Sequence, residues 1–157
     1  MAAHNHWTDA PWFFPAFSLA ALASDPTLVI RLIGQEIHAD QPVYHVLLFH
    51  NLSGQAPEVT AFVQQFSAID FYLDASSLLP TAIAFSIHGD ENSGVSIPLE
   101  IRFGNYRTVS GVLVPFHIQK LVQGTLTLDL AVTQATVNTG VSASTFTIPE
   151  LPTGGAQ

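Results

Sequence analysis

At 157 residues the chain has the size of one domain and is long enough to bury a core of its own. Hydrophobic residues make up 48% and charged residues 10%, which excludes a disordered chain; 12 acidic against 4 basic residues give a net charge of -8, which argues against nucleic acid and anionic membrane surfaces as partners. With no cysteine, disulfides, thiolate metal sites and cysteine nucleophiles are excluded, and the redox compartment stays open.

The first residues, MAAHNHWTD, lack the basic region of a secretory signal, so export would require a signal outside this chain. PWFFPAFSLAALAS is apolar but broken by Pro11 and Pro15 and too short to span a bilayer. Its Pro15 to Ser24 portion predicts a short helix, stopped at SDP. Nearly everything beyond reads as strand: Leu28 to His38, Val43 to His50, Phe66 to Asp74, Thr81 to His88, Val95 to Tyr106, Val112 to Leu121, Thr125 to Val137 and a last short run at Phe146. NLSGQAPEV, between the second and third runs, reads as a flexible loop at the mouth of the sheet, placed to gate a cavity. The connections ADQ, GDENSG, TVSG and VQG suit hairpins and are too short for parallel crossovers, so the strands form an antiparallel meander. Residues 1–157 read as a single domain, with a flexible tail over 150–157.

Register follows from the apolar rows, because a slip of one residue turns every side chain to the other face. A three-residue VQG loop with Gly124 in the left-handed region sets Leu121 against Thr125, Ile118 against Leu128, Phe116 against Leu130 and Val114 against Val132. A four-residue TVSG loop sets Phe103 against Phe116 and Ile101 against Ile118, while GDENSG brings Ile83, Phe85 and Ile87 onto the face of Ile97, Leu99, Ile101 and Phe103. Four neighbouring strands thus share one apolar face, and each large side chain on it gains roughly 1.5–3 kcal/mol on leaving water. A helix of about three turns, bearing Trp12, Phe13, Phe14 and Phe17, spans only about 15 Å and covers part of it. Two arrangements satisfy the pattern: a sheet curled on a filled core, or one curled around an apolar cavity that holds a lipid-like ligand.

The segment from Ile69 to Pro149 resembles the outer-membrane lipoprotein carrier superfamily (LolA/LolB-like and LppX-like proteins). The likeness rests on Tyr72-Leu73-Asp74, Leu79-Pro80, Asn105-Tyr106-Arg107, Gly111-Val112, Val114-Pro115-Phe116 and Phe146 to Pro149, and covers about half of the chain. The family's amino-terminal portion is longer than anything before Trp12. The resemblance implies a mainly β fold, an incomplete antiparallel barrel with one amino-terminal helix as partial lid, accepting acyl chains in the periplasm or cell envelope of bacteria. The expected ligand-lining residues are Trp12, Phe13, Phe17, Phe85, Leu99, Ile101, Phe116 and Leu128. No cofactor and no covalent chemistry are expected.

The polar residues offer weaker alternatives. The chosen register puts Arg102, His117 and Asp129 side by side on the opposite face, with Glu100, Gln119 and Thr127 in the next row. An Asp-oriented His beside Arg suits acid–base chemistry, but no nucleophile joins it and a solvated cross-strand charge ladder is the simpler account. Asp70 and Asp74 stand about 13 Å apart along a strand, too far for a glycosidase pair, and read as solvent-facing. His4 and His6, or His88 with Asp90, are metal candidates without the spacing of a strong signature; His45 and His50 point to opposite faces. G-x-S-x-G, P-loop, G-x-G-x-x-G and HExxH motifs are absent. A small hydrolase or metal-dependent enzyme using the loop histidines, or a homo-oligomer paired through exposed sheet edges, therefore stand as alternatives to a binder of a hydrophobic small molecule or acyl chain.

Overall fold

The computed structural model describes Pro15 and residues 24–89, 92, 94–137, 139–142 and 144. The predicted amino-terminal helix, apart from its end residues Pro15 and Ser24, and the strand at Phe146 lie outside the described residues. Strands β1 (Leu28–His38), β2 (Gln41–His50), β3 (Ile69–Asp74), β4 (Pro80–His88), β5 (Ser96–Val109), β6 (Val112–Val122) and β7 (Thr125–Ala131) form one seven-stranded sheet in sequence order. Every neighbouring pair is antiparallel, as the short connections predict. The sheet is open: β1 and β7 are its edges and do not pair with each other.

Helix α1 (Pro57–Ser67) joins β2 to β3, where the sequence reading placed a gating loop and the start of a strand. Val59, Phe62, Val63 and Phe66 recur at i, i+3, i+4 and i+7, the spacing of one helical face. Pro57 is preorganised for the first turn and Glu58 complements the amino-terminal dipole. One hydroxyl moors the helix to the sheet. The buried Ser67 hydroxyl donates to the Val63 carbonyl at 2.6 Å and accepts the His50 amide at 2.8 Å. The Phe66 ring lies 4.1 Å from that of His88, the loop residue proposed as a metal ligand.

The hairpin registers differ from those expected. Ser110-Gly111 and Gln123-Gly124 are two-residue turns in which both central residues have positive φ, 50° and 82° in the first and 50° and 75° in the second. Such turns match the right-handed twist of the flanking strands, which three- and four-residue loops do less well. Phe103 consequently faces Ile118, and Ile101 faces the half-buried Lys120. A two-residue turn at Gln123-Gly124 would by itself oppose Ile118 to Asp129. Thr127 prevents this by bulging out of the ladder, so that Leu121 faces Leu126 while Lys120 faces Leu128 and Ile118 faces Leu130. Its hydroxyl donates to the Lys120 carbonyl at 3.1 Å. β7 stops at Ala131, short of the Val137 expected, where the run turns to Thr133, Gln134 and Thr136 with little apolar surface to bury.

Candidate functional site

The β4–β5 register agrees with expectation and fixes one apolar face: Ile83 faces Ile101, Phe85 faces Leu99 and Ile87 faces Ile97. Two rows cross the whole sheet on that face. One runs Leu32, Val46, Phe71, Ile83, Ile101, Lys120, Leu128; the other runs Ile30, Leu48, Ile69, Phe85, Leu99, Val122, Thr125. At its centre Leu48, Ile69, Phe71, Ile83, Phe85, Leu99, Ile101, Phe103 and Ile118 form a single buried cluster, with Ile101 and Phe71 0% and 2% exposed. At its margins the same rows stay wet: Ile30 and Leu32 on β1 are 58% and 63% exposed and Leu128 on β7 is 36% exposed.

Of the expected lining residues, the structure brings Phe85, Leu99 and Ile101 together in the cluster. Leu128 stands on the same face but at the open edge. Phe116 is buried outside the cluster, with the Arg107 guanidinium 4.4 Å over its ring. The shifted β5–β6 register explains this, since it places Ile118, and not Phe116, beside Phe103. Trp12, Phe13 and Phe17 lie outside the described residues. Sequence reasoning left out Leu48, Ile69 and Phe71, although the alternation in VYHVLLFH and IDFYLD carries the signal.

The opposite face is polar, and its rows differ from those expected. His45, Tyr72, Ala82, Arg102, Gln119 and Asp129 succeed one another across β2 to β7, while Glu100 faces Leu121. His117, opposite Gly104, reaches Asp129 on the diagonal at 2.6 Å. His38 Nε2 lies 3.0 Å from Glu100 Oε1, which also accepts Arg102 Nε at 2.5 Å. On a flat sheet β1 and β5 stand about 19 Å apart, four steps of about 4.8 Å, more than two side chains bridge. The β1–β2 hairpin therefore folds over the polar face, helped by the bulge at Leu32/Gly34, where Gly34 has φ of 150°. The His38 ring stacks on Tyr72 at 3.8 Å, and His45 bonds Asp70 at 2.7 Å with Glu36 at 3.5 Å.

The end at His38, Tyr72 and Glu100 is thus half-buried, while the side chains of Arg102, His117 and Asp129 stay exposed, as in a solvated ladder. Burial pushes the Tyr72 phenol up to about 12, with the charges of Asp70, Glu36 and Glu100 adding to it. Burial also pushes the Glu100 carboxyl up, but the bonds from Arg102 and His38 outweigh it and hold it below the usual range. The aspartates of β3 are partly exposed, as expected, and also hydrogen-bonded: Asp70 to His45, and Asp74 by four bonds from the amides and hydroxyls of Ser76 and Ser77. His45 and His50 do occupy opposite faces. His50 Nδ1 lies 2.8 Å from the Thr27 hydroxyl and 3.7 Å from Asp25. Among the described residues no three His, Asp or Glu side chains are grouped to hold a metal ion, and Asp90, the partner proposed for His88, lies outside them.

No protein-family model matches the chain, and no curated protein matches it. Among solved structures, the chain is similar to a domain from Vibrio parahaemolyticus described as an outer membrane lipoprotein-sorting protein. The likeness covers 76% of this chain and 46% of that one, at 12% identity and a TM-score of 0.49.

Proposed function

We propose that the protein is a binder of hydrophobic ligands that takes an acyl chain onto the apolar face of its sheet, in the setting of the bacterial cell envelope. The observation that carries this reading is the continuous apolar face of an open sheet, buried at its centre and still exposed at Ile30, Leu32 and Leu128 along its edges. A sheet that closed on itself would have no such margins. Apolar surface left at an edge beside a buried cluster is where further burial is favourable, by roughly 25 cal/mol per Å² removed from water. Phe85, Leu99 and Ile101 supply the wall, Leu32 and Leu128 the entrances, and Trp12, Phe13 and Phe17 the cover expected from the sequence. Binding by sequestration needs no nucleophile, metal or cofactor. The likeness of Ile69 to Pro149 to the lipoprotein carriers agrees with this reading.

Organic extraction and mass spectrometry of the chain purified without detergent should release about one acyl species per molecule. The Leu32→Gln variant, altered at an exposed position, should fold normally and bind a fluorescent fatty acid more weakly. A chain that carries no acyl species and takes up none of the probe overturns the reading.

A further inference from the structure

The folded-over β1–β2 hairpin leaves a cleft of about 260 Å³ between its turn and the polar faces of β4, β5 and β6. Its floor is made of small residues, Ala82 and Gly104, and its polar walls include His38, Arg102, His117 and Gln119. Among the described residues no carboxylate lines it, although the chain carries a net charge of -8 and only 4 basic residues. Each wall residue is instead held from behind by an acid. Glu100 Oε1 takes both His38 and Arg102, and Asp129 takes His117 at 2.6 Å and Gln119 at 3.1 Å. Two carboxylates thus fix four side chains in place, so a ligand need not order them on binding.

The geometry points to this cleft as a binding site for a small organic monocarboxylate, held by the Arg102 guanidinium. Arg102 commits its Nε to Glu100, while its two terminal nitrogens make no hydrogen bond among the described residues. A guanidinium edge of that kind matches a carboxylate bidentately. One permanent cation suits one negative charge; a dianion would stand close to Glu100 and Asp129 without a second fixed cation to offset it. The alanine and glycine floor leaves room for a short aliphatic body. Glu100 and Asp129 are positioning residues.

The site lies on the face opposite the proposed acyl site and does not depend on it. The test is a titration of the ¹⁵N-labelled full chain with sodium butyrate at constant ionic strength, with chloride and inorganic phosphate as controls. Butyrate should shift the Ala82, Arg102 and Gly104 amides saturably. Arg102→Gln should weaken binding by about tenfold or more, the loss expected for a charge-assisted bond. Gly104→Val fills the cleft without touching a charge, since a Cβ there meets only His117 Cβ at 4.0 Å, and should abolish the shifts. Both variants should keep their spectral dispersion and their affinity for a fluorescent fatty acid, so the two sites fail or stand separately. Shifts that do not saturate, that persist in dispersed Gly104→Val spectra, or that phosphate reproduces at equal or lower concentration would overturn the assignment.

Discussion

Phe71 shows how one residue serves both the fold and the face. It sits on β3 near the middle of the row from Leu32 to Leu128, is 2% exposed, and touches neighbours contributed by strands on either side. Phe71→Ala should lower stability by about 3–5 kcal/mol, the range for emptying a packed aromatic site, read as a fall in the urea midpoint at unchanged m. Glu100 makes the corresponding argument for the polar face. Its carboxyl is lowered in the folded chain, so it stabilises the fold above its unfolded value of about 4.3 and loses that contribution as pH falls through the lower folded value. The carboxyls of Asp25, bonded by Thr27, and Asp129, bonded by His117, are lowered as well and act in the same direction. The melting temperature should therefore fall as pH drops from 5 to 3, and Glu100→Gln should flatten part of that slope. A variant with the wild-type slope would show that the bonds of Arg102 and His38 to Glu100 do not persist in solution.

Helix α1 begins without a side-chain cap: Ala56 has the extended backbone of a capping residue, φ -60° and ψ 148°, but no oxygen to offer the first-turn amides. Ala56→Ser should stabilise the chain by about 1 kcal/mol, measured by urea unfolding, whereas a substitution at the adjacent exposed Gln55 should be near neutral. The same missing cap hid the helix in the sequence. Its apolar spacing was present at Val59, Phe62, Val63 and Phe66, but with no Ser, Thr, Asp or Asn at the boundary, NLSGQAPEV resembled a loop. Strand existence and order were legible because alternation and short connections report local geometry directly. Register was less so. Pairing apolar with apolar favoured longer loops, whereas the turns at Ser110-Gly111 and Gln123-Gly124 obeyed backbone twist, with Thr127 and Lys120 absorbing the mismatch. The half-buried polar network was not legible, because the contact of His38 with Glu100 depends on the hairpin folding across strands 62 residues apart in sequence.

On the scale of the whole molecule, an open sheet with apolar margins has to avoid pairing with its own copies, and charge is the available means. Edge strand β1 exposes Ile30, Leu32, Ile33 and Ile37 and carries only Arg31 and Glu36 as charged residues; edge strand β7 exposes Leu126 and Leu128 and carries only Asp129. Neither edge holds a lysine or an internal proline that would block the addition of a strand. Repulsion from the net charge of -8 at pH 7 is then the main barrier to association, and it vanishes near the sequence pI of about 5.0. Sedimentation should accordingly show self-association that strengthens as pH is lowered from 7 towards 5. Raising salt at pH 7 should act in the same direction, since screening shortens the reach of the repulsion to about 8 Å at physiological ionic strength. Leu32→Lys puts a cation on the margin of β1 and removes an apolar side chain from it, so it should suppress association at pH 5, where the wild-type net charge is near zero. If this variant associated as strongly as the wild type, the β1 edge would not be the surface on which copies meet.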